Sequence, residues 1–126
     1  MKKIAVYGKG GIGKSTTVSN LAVALAEKGY KVMQIGCDPK ADSTMNLLGG
    51  EPLRPVMNYM REEDEEPDDF SQISKEGYGG ILCIETGGPT PGLGCAGRGI
   101  ITALEKLKEM GAYEIYKPDV VLYDVL

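Results

Sequence analysis

Histidine is absent from all 126 residues, which excludes, within them, a histidine-dependent catalytic triad and a histidine-ligated metal site. Chemistry here has to come from lysine, aspartate, serine and cysteine. Cysteine is itself scarce. Cys37, Cys83 and Cys95 make an odd number in a sequence without a secretory signal, so a disulfide framework is a poor explanation and free thiols or metal ligands remain. No apolar stretch is long enough to span a bilayer. The first residues, Met1 to Tyr7, run straight into glycines, too short for the apolar segment of a signal peptide and without its cleavage site. A cytoplasmic location without a membrane partner is therefore expected. The lysines are scattered and no basic stripe is interleaved with aromatics, so no nucleic-acid partner is expected either.

What is present is the balance of a folded globular chain, 42% hydrophobic and 25% charged. Its length suits one domain, read as a single nucleotide-binding domain over residues 1–126. The formal net charge is -4, yet residues 62–69 alone hold seven acids, so the remainder of the chain is net positive. That run reads as a solvated loop or helix end.

Residues 3–7 and 31–36 are short apolar runs that read as buried strands. Between them Val18, Leu21, Ala22, Leu25 and Ala26 recur at helical spacing, and Gly29 stands where a helix ends. A third strand is expected at 81–84, a helix over 98–110 closed by Gly111, and a fourth strand at 120–123. Residues 53–80 read as helical or irregular. This alternation predicts an α/β fold with a mainly parallel sheet covered by helices on both faces.

The segment Gly8-Lys9-Gly10-Gly11-Ile12-Gly13-Lys14-Ser15 lies between the first strand and the first helix and fits the phosphate-binding P-loop. Its glycines let backbone N–H groups turn inward, the helix N-terminus adds positive potential, Lys14 suits the β/γ-phosphates and Ser15 offers a hydroxyl to Mg²⁺. Gly8, Gly10 and Gly13 also satisfy a dinucleotide fingerprint, with Asp38 where a ribose-binding acid would sit. Lys14-Ser15 favours the triphosphate with its metal, because a dinucleotide turn needs no cation there. The ATP-binding residues are thus Gly8, Lys9, Gly10, Gly11, Ile12, Gly13, Lys14, Ser15 and Thr16.

With its second lysine, Lys9, this loop resembles the variant P-loop of dimeric ATPases that include the nitrogenase iron proteins and the Min/Par partitioning proteins. The resemblance implies a P-loop NTPase fold and a homodimer in which Lys9 reaches the partner subunit's nucleotide. Gly36-Cys37-Asp38-Pro39-Lys40-Ala41-Asp42-Ser43-Thr44 resembles the iron proteins' first switch. A carboxylate at a strand end beside the phosphates can orient or deprotonate the attacking water, the role expected of Asp38. Lys40 and Asp42 would sense the γ-phosphate and Mg²⁺. A structural alternative is that Asp38 or Ser43 caps the next short helix. Cys37 reads as a small packed residue. Val120 to Asp124 is an apolar strand ending in an acid, where Asp124 is expected to hold Mg²⁺ through its water shell, and Asp124-Val125-Leu126 is similar to the opening of the second switch.

The segment from Gly87 to Gly99, Gly-Gly-Pro-Thr-Pro-Gly-Leu-Gly-Cys-Ala-Gly-Arg-Gly, resembles the iron proteins' cluster-binding loop, which the partitioning ATPases lack. It departs from nitrogenase-type members at Thr90 and Leu93, where glutamate and valine are usual. Cys95 would then be a ligand of a 4Fe-4S cluster shared by two subunits, and Arg98 would lie at the docking face, a site of ADP-ribosylation in some members. A shared cluster needs two thiolates per subunit. By resemblance the second follows residue 126, so the chain reads as the N-terminal part of such a protein, truncated relative to the family. The resemblance implies MgATP-gated electron transfer to a partner reductase, either a nitrogenase molybdenum-iron protein or a related complex, supplied by a low-potential donor such as ferredoxin or flavodoxin. Alternatives are the iron protein of a protochlorophyllide or nickel-sirohydrochlorin reductase, a non-redox partitioning or metal-carrier ATPase, and a nucleotide-binding module without activity.

Overall fold

A computed structural model describes residues 1–8, 13–65, 67–88 and 96–125, the stretch 96–99 by its backbone only. Strand β1 (Lys2–Tyr7) leads to helix α1 (Lys14–Glu27) and strand β2 (Val32–Cys37). A 3₁₀ turn at Met45–Leu48, helix α2 (Val56–Glu63), a 3₁₀ turn at Phe70–Gln72 and the short strand β3 (Ser74–Glu76) come next. After a further turn at Tyr78–Gly80 follow β4 (Leu82–Glu85), α3 (Ala96–Glu109), α4 (Ala112–Tyr116) and β5 (Val120–Val125). The sheet order is β1-β5-β2-β4-β3. Pairings β1·β5, β5·β2 and β2·β4 are parallel, while β3 joins β4 antiparallel.

Strand alternation sorts side chains to two cores. From β2, Met33, Ile35 and Cys37 face the layer of α2, α3 and α4, where they meet Val56, Tyr59, Ala103, Leu107 and Tyr116. Val32 from the same strand joins Val18 and Ala22 of α1 on the opposite face, with Cys83 of β4 and Leu122 of β5. A sheet buried on both faces needs near-continuous apolar strands, which is why β2 and β4 read as mainly apolar runs, interrupted by Gln34 and closed by Glu85. Burying each such aliphatic side chain contributes roughly 1.5–3 kcal/mol, before the entropy of ordering is set against it.

Helix α1 ends as its glycine implies. Gly29 adopts φ +93°, its amide donates to Ala26 O (3.0 Å), and the Tyr30 amide donates to Leu25 O (3.1 Å). This is the paired bonding that closes a helix through a left-handed residue. The expected strands and helices appear with ends shifted by one or two residues. The stretch 53–80 holds more than expected, since β3 is a strand of Ser-Lys-Glu. It has no apolar alternation because only one neighbour pairs with it and its side chains are largely exposed. The acidic run is solvated, as expected, among its described residues. Glu62 and Glu63 end α2 beside Arg54, and Asp69 closes a capping box with Gln72.

Candidate nucleotide site

The site lies at the C-terminal ends of the parallel strands, where open α/β sheets bind their ligands. Register puts Asp124, Gly36 and Glu85 side by side on three adjacent strands, and alternation turns them to the α1 face. Helix α1 begins in front of this row. Gly13 caps it in the left-handed region (φ 83°), and its carbonyl accepts from both the amide and the hydroxyl of Thr17, each at 3.0 Å.

Lys14 and Ser15 converge on Asp124. The Lys14 ammonium lies 2.6 Å from Asp124 Oδ1 and donates to Val125 O at 2.9 Å. The Ser15 hydroxyl donates to Asp124 Oδ2 at 2.7 Å. Asp124 is 1% exposed. Burial alone would raise its pKa, but hydrogen bonds from Lys14, Ser43 and Ser15, with the Lys14 charge, outweigh it and hold the carboxyl below its ordinary value. A buried carboxylate, a serine hydroxyl and an ammonium at a helix N-terminus are the donors a magnesium-bound polyphosphate requires, so the described residues fit MgATP. Lys9, Gly10, Gly11 and Ile12 lie outside the described residues, Gly8 precedes them at the end of β1, and Thr16 is exposed on the first turn of α1.

Asp38 is half-buried just after β2, and Lys40 and Asp42 are exposed. The alternative role suggested for Asp38 and Ser43 is not what the structure shows. Asp38 Oδ1 accepts the Lys40 amide (2.9 Å), closing a tight turn with Ala41 at φ 53°, and Thr44, not Ser43, occupies the N-cap of the Met45–Leu48 turn. Ser43 is instead buried, bonded by the Gln34 amide at 3.1 Å.

Two polar core residues were not anticipated from the sequence, Gln34 and Glu85. Gln34 sits in an otherwise apolar strand and joins β2 to Ser19 of α1 and to Ser43. Glu85 is fully buried, and its Oε2 accepts both the amide (2.8 Å) and the hydroxyl (2.7 Å) of Thr44, while Oε1 has no partner among the described residues. Burial pushes its pKa from 4.5 to about 7; the Thr44 bonds lower it, and Asp42 and Asp124 add to the rise. The available signal was an acid ending an apolar strand, the same one that marked Asp124.

A stability measurement tests this environment. Between pH 4.5 and about 7 the folded chain keeps a proton that the unfolded chain has lost, so stability falls as pH rises through that window. The Glu85 contribution to this slope is on the order of 3 kcal/mol in total. Denaturant unfolding across pH should show Glu85→Gln flattening it; an unchanged slope would place the proton elsewhere.

The thiols divide clearly. Cys37 and Cys83 are buried, with pKa pushed up to about 12 chiefly by burial, Glu85 adding to both. Neither fits a metal ligand, which must be a thiolate, and Cys37 packs as expected. Cys95 lies outside the described residues; Arg98 falls within α3, but its side chain is not described.

A family model for the 4Fe-4S iron sulfur cluster binding proteins of the NifH/frxC family matches residues 2–126. The chain belongs to that family. Across its whole length it is 53% identical to a nitrogenase iron protein of Methanococcus voltae, and likewise 53% identical to nitrogenase iron protein 2 of Methanothermococcus thermolithotrophicus. It spans about half the length of these relatives, 45% and 47% respectively. Among solved structures, cobyrinic acid a,c-diamide synthase from Mycobacterium smegmatis, with a bound ATP analog and magnesium, is similar at 26% identity and TM-score 0.62 over 98% of this chain and 50% of that one. The cell division ATPase MinD of Pyrococcus furiosus shares the fold, with 23% identity and TM-score 0.62 over 98% of this chain and 49% of that one. The P-loop α/β architecture of this NifH/frxC-family chain is therefore the expected one. No described helix is long and apolar enough to cross a membrane.

Proposed function

We propose that this chain is the nucleotide-binding part of an ATP-dependent electron donor of the nitrogenase iron protein type. In this reading, MgATP hydrolysis in a homodimer gates electron donation from a shared 4Fe-4S cluster to a molybdenum-iron protein or a related reductase. The observation that carries it is the convergence of Lys14 and Ser15 on buried Asp124, in a chain matched by the cluster-binding family model from end to end.

When bound, MgATP supplies a transferable phosphoryl group and a cation that neutralises its charge. Lys14 is held in reserve by Asp124 and Val125 O, and turning it to the β/γ-phosphates frees the carboxylate. Ser15, by its hydroxyl oxygen, and Asp124, through bound water, are the residues that would hold the metal. Asp38, tethered through Lys40 N–H, orients the attacking water, with Lys40 and Asp42 exposed beside it to sense the γ-phosphate. Lys9 is assigned to the partner subunit's nucleotide, and Arg98 to the docking face as a target of ADP-ribosylation. Ferredoxin or flavodoxin would supply the electrons. A cluster, when bound, supplies one-electron chemistry, and Cys95 is this chain's candidate ligand because Cys37 and Cys83 are spent in the core.

An anaerobic iron and sulfide assay with an EPR spectrum of the reduced protein tests the reading. The sample is the longest natural chain containing these residues. About four irons per dimer are expected, lost in Cys95→Ala. Iron-free protein that still hydrolyses ATP would overturn the electron-donor reading.

A further inference from the structure

Glu85 ends β4, and the residues that follow it lead toward Cys95. This short stretch grips the segment after β2 at two points. At the first, Glu85 Oε2 takes both hydrogen-bond donors of Thr44. At the second, Gly88 lies so close to Pro39 that a Cβ there would sit 2.9 Å from the proline's own Cβ. Between these grips lie Lys40, Asp42 and Ser43, and Ser43 is held in turn by the Gln34 side-chain amide.

The far side of the stretch is anchored to α2 and its approach. Arg61 donates to Gly88 O at 2.7 Å, the Met57 amide donates to Thr86 O at 3.0 Å, and a Cβ on Gly87 would meet Pro55 at 2.7 Å. Residues 85–88 therefore form a strap between α2 and the 39–44 segment, with no slack on either side. A glycine at 36 makes the Glu85 reach possible, because any Cβ there would overlap Glu85 Oε1.

We infer that Glu85 is a positioning residue: through Thr44 it transmits displacement of the 39–44 segment beside the nucleotide to Gly87-Gly88, and so to the segment carrying Cys95. The inference rests on the nucleotide site proposed above. It assigns the coupling to a route within one subunit, from the end of β2 to the end of β4, that bypasses the chain following Asp124. Two discrete arrangements of a packed segment are what coupling between sites requires. The Glu85 carboxylate is buried and bonded to Thr44, whereas Lys14 and Ser15 converge on Asp124, so the effect of Glu85 is assigned to communication rather than to binding.

Hydrogen exchange by mass spectrometry on the longest natural chain reads this directly, with MgATP and MgADP as probes. In the wild type, nucleotide should change exchange in the peptides covering both 38–44 and 86–95, the second by at least about fivefold, the lower end of ordinary coupling. Thr44→Val and Glu85→Ala should keep the response at 38–44 and lose it at 86–95. Glu85→Gln retains an acceptor oxygen for Thr44 and should restore the response, which a general loss of packing would not do. A response at 86–95 that persists in Thr44→Val and Glu85→Ala, or is absent from the wild type, overturns the inference. So does loss of nucleotide affinity in either variant, which would place Thr44 or Glu85 in the binding site itself. Because the readout needs no iron, an iron-free protein would sink the electron-donor reading while leaving this test legible.

Discussion

Replacing Lys14 by methionine is expected to abolish ATP hydrolysis and to destabilise the nucleotide-free protein by about 3–5 kcal/mol, the usual cost of removing one partner of a buried ion pair. The second effect is the more diagnostic. Asp124 is 1% exposed and its carboxylate is held below its ordinary pKa through Lys14, Ser43 and Ser15. Without the ammonium the folded-state pKa is expected to rise, because burial still raises it while both Lys14 contributions that lower it are lost. In the wild type this carboxylate contributes stability that is present at neutral pH and lost as pH falls through its depressed folded pKa. In the variant the carboxylate is stranded without its cation, so the cost relative to the wild type is full at neutral pH and shrinks as acid protonates Asp124. The double variant Lys14→Met/Asp124→Asn removes the stranded charge and should recover most of the lost stability without recovering turnover. Denaturant unfolding at neutral and acidic pH, with a double-mutant cycle, measures all three. A neutral-pH cost below about 1 kcal/mol would mean that water reaches the carboxylate and that the pair behaves as a surface one.

The residues of that pair were legible in the sequence, because a P-loop lysine and serine and an acid ending an apolar strand are local patterns. Their common place around one MgATP was expected, but the direct Lys14–Asp124 ion pair was not. It follows from β5 inserting between β1 and β2, a crossover that no window of sequence encodes. The two polar residues that escaped notice did so for related reasons. Gln34 interrupts an apolar strand and reads as a surface residue until Ser43 is folded over it. Glu85 ends its strand as Asp124 does, but its partner Thr44 is 41 residues away. Residues 53–80 resisted because their order is tertiary: α2 is capped by no side chain, and β3 exists only as a partner for β4. The two-faced sheet, by contrast, was readable from mainly apolar strands alternating with a periodic helix, since local propensity and burial agree there.

Two glycines separate these kinds of information by experiment. Gly29→Ala is expected to cost about 1–2 kcal/mol, the strain of placing an L-residue in the left-handed region, because nothing lies within 4 Å of the new Cβ. Gly36→Ala should cost about 3 kcal/mol or more, at the upper end for overpacking, although its backbone is unstrained. Its Cβ would overlap Glu85 Oε1 and come within 2.7 Å of both Glu85 Cδ and Ser43 Cβ. Neither neighbour can give way cheaply. Glu85 is pinned by two hydrogen bonds to Thr44, and Ser43 is 3% exposed and bonded by Gln34. Gly36→Ala/Glu85→Ala should therefore recover part of the loss but not all, since the Ser43 contact survives the second change. Equilibrium unfolding of the three variants decides the matter. If Gly36→Ala proves as mild as Gly29→Ala, Glu85 has room to move away, and a carboxyl free to move could not hold Thr44 rigidly to the end of β4.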